Sequence, residues 1–255
     1  MIELRYIGHA TTLIRLGRTT VLTDPVLRSR IGPLRRHGAR PGPEAARPDV
    51  VLISHQHRDH LDLPSLRLLD ARTPIVAPRG TAALIASAGA QQVIEVSAGE
   101  AREIAGVKVT ATEALHDGHR GPWGGETEAL GFVLEGQGGR VYFAGDTDLF
   151  GGMAALGPLD LALLPVWGWG PSLGSGHLDP AQAVRALRLL RPRVAVPIHW
   201  GTLYPAGLGL VRPRPLTEPP RLFARLAAQD APEVEVRVLE PAEATKLEGT
   251  GSDRG

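Results

Sequence analysis

One heptapeptide constrains this chain more than any other. Ser54-His55-Gln56-His57-Arg58-Asp59-His60 places three imidazoles and a carboxylate within six positions. It follows an apolar run, Val50-Val51-Leu52-Ile53, preceded by Pro48-Asp49, which reads as a short buried strand. A strand that stops at a cluster of donors delivers them to one rim of a sheet. Imidazole nitrogen with carboxylate oxygen suits zinc, iron or manganese, and one such loop can serve two ions. His55 and His57 can point to one side while Asp59 and His60 turn to the other. The bland alternative is a polar turn, but nine histidines spread over 255 residues make three in six positions a poor fit to chance.

A metal site needs more donors than one loop supplies, and the chain offers them at the ends of other apolar runs. Val107-Lys108-Val109-Thr110-Ala111-Thr112-Glu113-Ala114-Leu115 leads to His116, Arg140-Val141-Tyr142-Phe143-Ala144-Gly145 to Asp146, and Val194-Ala195-Val196-Pro197-Ile198 to His199. Four strand ends carrying His or Asp describe a single rim, where loops bring distant residues together.

These residues resemble the metallo-β-lactamase-fold hydrolases. The resemblance rests on His55-x-His57-x-Asp59-His60, His116, Gly145-Asp146-Thr147 and His199-Trp200-Gly201-Thr202. More narrowly, the chain is similar to the branch containing N-acyl-phosphatidylethanolamine phospholipase D and bacterial ascorbate-phosphate lactonase. That likeness is carried by Gly8-His9-Ala10-Thr11, Leu22-Thr23-Asp24-Pro25, Ile53-Ser54-His55 with Asp62-Leu63-Pro64, Phe143-Ala144-Gly145-Asp146-Thr147 and Ile198-His199-Trp200-Gly201-Thr202, between about residue 2 and about residue 205. It implies an α/β fold, a four-layer αββα sandwich of the metallo-β-lactamase type. It also implies that His55, His57 and His116 hold one metal, that Asp59, His60 and His199 hold the other, and that Asp146 bridges them. Zinc leads as the implied metal, with manganese, iron and nickel as alternatives. Two such ions about 3.5–4 Å apart activate a bridging hydroxide, so no serine or cysteine nucleophile is needed, and Asp59 can orient that hydroxide.

Composition agrees with such an enzyme. A chain of 255 residues, 43% of them hydrophobic, can bury a full core. A net charge of +1 gives no bias toward nucleic acid or anionic membrane, and without cysteine any metal must be held by His and Asp. No apolar stretch is long enough to span a bilayer and no signal peptide is visible, so the expected location is cytoplasmic.

The organisation alternates strands with helices. Residues 2–16 and 19–23 read as a hairpin around Gly17-Arg18, and residues 28–48 as an aperiodic Pro/Gly/Arg-rich flap. Helices are expected over 63–69, 81–88 and 220–228, with the clearest running from Asp179-Pro180 to Leu190, capped by Asp and opened by Pro. A strand is expected over 234–239. The hydrolase domain is expected to cover 1–243, followed by a disordered tail over 244–255.

Several residues carry two readings. His119 competes with His116 in Leu115-His116-Asp117-Gly118-His119-Arg120, and His116 is preferred because it lies nearer the strand end and takes the family's position. His177, just before a helix N-terminus, matches a histidine that the phospholipase-like branch places in the active site outside the metal shell, where it could donate to a phosphate or a leaving oxygen. It is otherwise a hydrogen-bonded loop histidine. His9 and Asp24 match strand-end residues of the family, where a catalytic role competes evenly with support of the metal ligands from behind or a purely structural task. Arg28, Arg30, Arg35, Arg36, Arg40, Arg212 and Arg214 suit anion recognition or simply a solvated face. Trp123, Trp167, Trp169 and Trp200 suggest a partly apolar pocket.

The expected function is hydrolysis of a phosphodiester, phosphorylated lactone or related small ester by a binuclear centre. The expected substrate is small and anionic or ester-bearing, with no nucleic acid as partner; a homo-oligomer is compatible. A nuclease role is weaker, because only 52 residues separate Asp146 from His199, too few for the inserted domain of RNA-processing members. A β-lactamase-type amide hydrolase has no specific support. A non-catalytic metal-binding or ligand-sensing protein is the alternative from another class.

Overall fold

Two patterns of burial separate the strands of this chain. The antiparallel strands Ile2–Gly8, Thr11–Leu16 and Val107–Glu113 place half-buried or exposed positions between buried ones, whereas the parallel strands Val50–Leu52, Ile75–Pro78 and Leu159–Pro165 are buried at every position, because helices or the other sheet cover both their faces. The computed structural model describes residues 1–120, 125 and 127–248. The first sheet has seven strands in the order β17 (Ala244–Leu247), β1 (Ile2–Gly8), β2 (Thr11–Leu16), β3 (Thr19–Thr23), β6 (Val50–Leu52), β7 (Ile75–Pro78) and β8 (Val93–Val96). The second also has seven, in the order β16 (Glu235–Val236), β14 (Pro192–Ile198), β13 (Leu159–Pro165), β12 (Gly139–Phe143), β11 (Leu130–Gly136), β10 (Val107–Glu113) and β9 (Ala101–Ile104). All seven residues of β13 are buried, and it runs parallel to both β12 and β14.

The sheets face each other across one core. Ile2, Leu4 and Ile14 of the first meet Phe132, Leu134, Val141 and Leu161 of the second, all fully buried. Behind the first sheet a smaller cluster of Ile7, Leu22, Val51, Ile53 and Ile75 packs under Leu66 of α1 (Leu63–Leu66) and Ile85 of α2 (Ala82–Ala86). Behind the second lie α3 (Pro180–Leu190) and α4 (Glu218–Asp230), packed on each other, α3 also on β13 and α4 on β14. The layers are therefore helix, sheet, sheet, helix. Asp179 closes a full capping box with Gln182, and Ala183, Val184, Ala186, Leu187 and Leu190 form the buried face of α3. No helix among the described residues is long and apolar enough to cross a membrane.

Three expectations need correction. The strand expected over 2–16 is two strands, broken where Gly8 and His9 take left-handed φ of 123° and 61°. The tail is ordered at its start, since β17 pairs antiparallel with β1 from Ala244 to Leu247 and supplies the edge with a neighbour. The segment 28–48 is not an aperiodic flap. Its strands β4 (Arg30–Ile31) and β5 (Leu34–Arg36) join β15 (Leu203–Pro205) in a small third sheet over a core of Val26, Ile31, Leu34 and Leu203. Arg36 is buried here and donates to the carbonyls of Ile7, Val26 and Arg28, while Arg28 forks onto both carboxylate oxygens of Asp62 at 2.8 and 2.6 Å. Two of the flap's arginines thus brace the fold. Shorter elements than expected are found at α1, α2 and β16, and a longer one at α4.

Candidate metal centre

Six strand ends meet at one rim. β1 ends at His9, β3 at Asp24, β6 at the His55–His60 loop, β10 at His116, β12 at Asp146 and β14 at His199. His9, Asp24, Gly145 and His199 all leave their strands with left-handed φ, at 61°, 35°, 61° and 61°. A left-handed residue turns the chain sharply without a long loop, and a non-glycine residue holds that conformation only where its surroundings fix it.

The rim gathers two sets of imidazoles. In the first, His57 Nδ1 lies 3.0 Å from His55 Nε2 and 3.1 Å from His116 Nε2. In the second, His60 Nε2 lies 3.0 Å from His199 Nε2, and Asp59 Oδ2 stands 3.6 and 3.7 Å from these two nitrogens. Asp146 sits between the sets, with Oδ2 at 3.1 Å from His60 Nε2, 3.2 Å from His199 Nε2 and 3.4 Å from His177 Nε2. Its other oxygen is buried without a hydrogen-bond partner.

The opposite ring nitrogens show what the inner ones must be. His116 Nδ1 meets the Gly176 carbonyl at 2.8 Å and His199 Nδ1 the Trp167 carbonyl at 2.8 Å. A carbonyl has no hydrogen to give, so each Nδ1 carries the proton and each inner Nε2 presents a lone pair. His60 Nδ1 meets Asp24 Oδ2 at 2.7 Å, and His55 Nδ1 meets Ser54 Oγ at 2.9 Å, with that hydroxyl 2.6 Å from the same Asp24 oxygen. Lone pairs that converge at about 3 Å repel, and a cation between them turns each repulsion into a bond. The donor set therefore fits a metal, and among the described residues every group of side chains able to hold one is drawn from this cluster: His55, His57 and His116; His9, Asp59, His60 and His199; His55, His60 and Asp146; His116, Asp146 and His177.

Electrostatics agree. Burial pushes His116 down to about 4 and His9 down to about 3, and it lowers His55 and His57 as well, so these rings stay neutral. Burial alone would raise Asp59 and Asp146, yet His60 for the former and His199 then His60 for the latter hold both carboxyls well below the usual range. His60 goes the other way: burial opposes its charge, but Asp146, Asp59 and Asp24 raise it well above an ordinary imidazole.

Loop-to-loop bonds fix the outer donors. Leu115 N donates to Thr147 Oγ1 at 2.9 Å, Asp148 N to the Leu115 carbonyl at 3.0 Å, and Gln182 Nε2 to Asp148 Oδ1 at 2.8 Å. The His116, Asp146 and α3 segments are thereby tied together. Arg120 clasps the carbonyls of Gln56 and Leu61 at 2.6 and 2.9 Å, holding the histidine loop from beneath.

Of the residues singled out in the sequence, His55, His57, Asp59, His60, His116, Asp146 and His199 converge, with His177 at their edge. His119 stays apart, exposed and paired with Asp117. Trp200 is buried against Tyr6, Trp169 is exposed, Trp167 bonds the Gly170 carbonyl, and Trp123 lies outside the described residues. Sequence reasoning left open the tasks of Asp24 and His9 and gave Ser54, named within two motifs, no task of its own. The only signal was local: polar residues interrupting apolar runs at Gly8-His9-Ala10-Thr11 and Thr23-Asp24.

Known proteins share this arrangement of chain. A family description, the beta-lactamase superfamily domain, matches residues 19–200. A protein of Deinococcus radiodurans named UPF0173 metal-dependent hydrolase is 36% identical over 252 residues, covering 97% of this chain and 100% of its own. A namesake in Opitutus terrae is 34% identical over 254 residues, covering 96% and 100%. Among solved structures, Igni18, a metallo hydrolase from Ignicoccus hospitalis, superposes with a TM-score of 0.75 at 25% identity, covering 97% of this chain and 98% of its own.

Proposed function

This chain belongs to the beta-lactamase superfamily domain family and is a metal-dependent hydrolase of that fold, and from this premise we propose that it works with two ions on a phosphodiester, a phosphorylated lactone or a related small ester. The observation that carries the binuclear reading is Asp146. Its Oδ2 faces His60 and His199, its Oδ1 is buried and unpaired, and it can share an ion with His55 and His60 or with His116 and His177. A buried carboxylate with one oxygen against one donor set and the other left unpaired suits a shared ligand. His55, His57 and His116 would hold one ion, and Asp59, His60 and His199 the other.

Bound divalent ions supply an acidified water and positive charge at the reacting oxygens. The protein's own part is to orient and to move protons. Asp59, kept ionised, accepts a hydrogen bond from the attacking water. His177 sits at the open edge with 22% of its side chain exposed, its Nδ1 donating to the Ser175 carbonyl at 3.0 Å and its Nε2 turned inward. Burial works against its charge, but Asp146 outweighs burial and raises it above an ordinary imidazole, which suits a donor to the leaving oxygen. We place the enzyme in the cytoplasm, with no nucleic-acid partner.

The test is to strip the protein with a chelator and assay bis(p-nitrophenyl) phosphate and p-nitrophenyl acetate before and after adding zinc or manganese. The stripped protein should be inert and should regain phosphodiesterase activity at two ions per chain. Full activity at one ion would remove the binuclear reading, and recovery on the acetate alone would remove the phosphodiester one.

A further inference from the structure

Two sequence motifs meet at a residue outside the proposed ligand set. His9 N donates to Thr202 Oγ1 at 2.9 Å, and His199 N donates to the His9 carbonyl at 2.8 Å. The Gly8-His9-Ala10-Thr11 turn of the first sheet therefore interlocks with the His199-Trp200-Gly201-Thr202 turn of the second. The fit is close. A Cβ on Gly8 would come within 2.7 Å of Thr202 Cγ2, and one on Gly201 within 2.6 Å of the Leu216 carbonyl. Both glycines also hold positive φ, so neither position accepts a side chain. A second clasp fixes the same turn to the Asp24 segment: Thr11 Oγ1 donates to the Asp24 carbonyl at 2.7 Å and accepts from Val26 N at 3.0 Å, while Thr23 Oγ1 donates to the Ala10 carbonyl at 2.8 Å.

All this bracing aims one fully buried ring. His9 packs over His199 with ring centroids 3.9 Å apart and places Nε2 at 2.9 Å from Asp59 Oδ2. A carboxylate that serves as a metal ligand carries no proton and can only accept, so the hydrogen of that bond lies on His9 Nε2. His9 Nδ1 is buried without a partner, which fits a bare nitrogen better than a second N–H. A nitrogen that donates to a carboxylate has no lone pair left for a metal.

We propose that His9 is a positioning residue that donates from Nε2 to Asp59 and sets that carboxylate against the His60–His199 pair, and that it is not itself a ligand. This rests on the reading that Asp59, His60 and His199 hold one of two ions. The same side chain locks the two sheets' donors in register, since its backbone holds His199 while its ring holds Asp59.

The test follows cobalt(II) binding to metal-free protein by its absorption and by chelator competition, in wild type and in His9→Gln, His9→Asn and His9→Ala, with melting of each metal-free protein measured alongside. Gln carries an N–H where His9 has Nε2. Asn tolerates the left-handed backbone but falls short of Asp59. Wild type should take up two ions, and His9→Gln should match it. His9→Asn and His9→Ala should weaken one ion by about ten- to hundredfold, the cost typical of losing an outer-shell partner, and leave the other unchanged. Wild-type affinity for both ions in His9→Asn would reduce His9 to a backbone role and overturn the proposal. A His9→Gln protein that loses an ion along with His9→Ala would make the imidazole a ligand and overturn it equally. Wild type holding a single ion would remove the binuclear reading, and this proposal with it.

Discussion

The two donor sets of this rim differ in what stands behind them. Behind His60 stands Asp24, a buried carboxylate, and beside Asp59 stands His9; His60 and His199 are 0% and 1% exposed. Behind His116 stands only a backbone carbonyl, and both His57 and His116 remain part-exposed. A carboxylate behind an imidazole raises its basicity more than a neutral acceptor does. On the two-ion reading the deep set is expected to bind more tightly, and the part-exposed shallow set is expected to be the one that substrate approaches. His177 lies on that approachable side, its ring centroid 4.6 Å from that of His116.

The largest expected effect erases the distinction. Asp146→Ala takes an oxygen from both sets at once, so metal analysis should find both contents lowered and turnover down on the order of a thousandfold, the scale of losing an electrostatic stabiliser at the reacting centre. Full retention of two ions would show that the sets do not share it. Next in size, His177→Ala should keep both ions and lose roughly a hundredfold in turnover, with much of that loss spared for a substrate whose leaving group needs no proton. Loss of metal instead would put His177 among the ligands of the shallow set. The finest probe is Asp24→Asn, which should weaken the deep ion by about tenfold or more in chelator competition and the shallow one less, through Ser54 and His55. Equal weakening would mean that the outer partners do not distinguish the two sets.

The rim was legible in the sequence because each donor ends an apolar run, and a strand followed at once by His or Asp is a local pattern. The wiring behind it was not. Asp24, Ser54 and His60 are brought together only by the parallel pairing of β3 with β6, and His9 reaches Asp59 across 50 positions. Nor does alternation reveal a left-handed residue, so residues 2–16 read as one strand. β17 escaped notice because Ala244-Thr245-Lys246-Leu247 is short and partly polar; the open edge of β1 recruits it. The arginines of 28–48 read as an anion site or a solvated face, and neither reading found the brace, because burial of Arg36 and the pairing of Arg28 with Asp62 are tertiary facts.

The donors come from both sheets, with Asp59 and His60 leaving one and His116, Asp146 and His199 the other. The centre therefore straddles the seam of the sandwich and measures its width. Coordination tolerates errors of only about half an ångström. A void opened deep in that seam, as by Leu134→Ala, lets the two walls settle toward each other. The shift is small beside the whole fold and large beside a metal–nitrogen bond. Metal affinity is thus expected to act as a strain gauge for the hydrophobic interior, and Leu134→Ala should weaken metal binding in chelator competition under conditions where the chain is still folded.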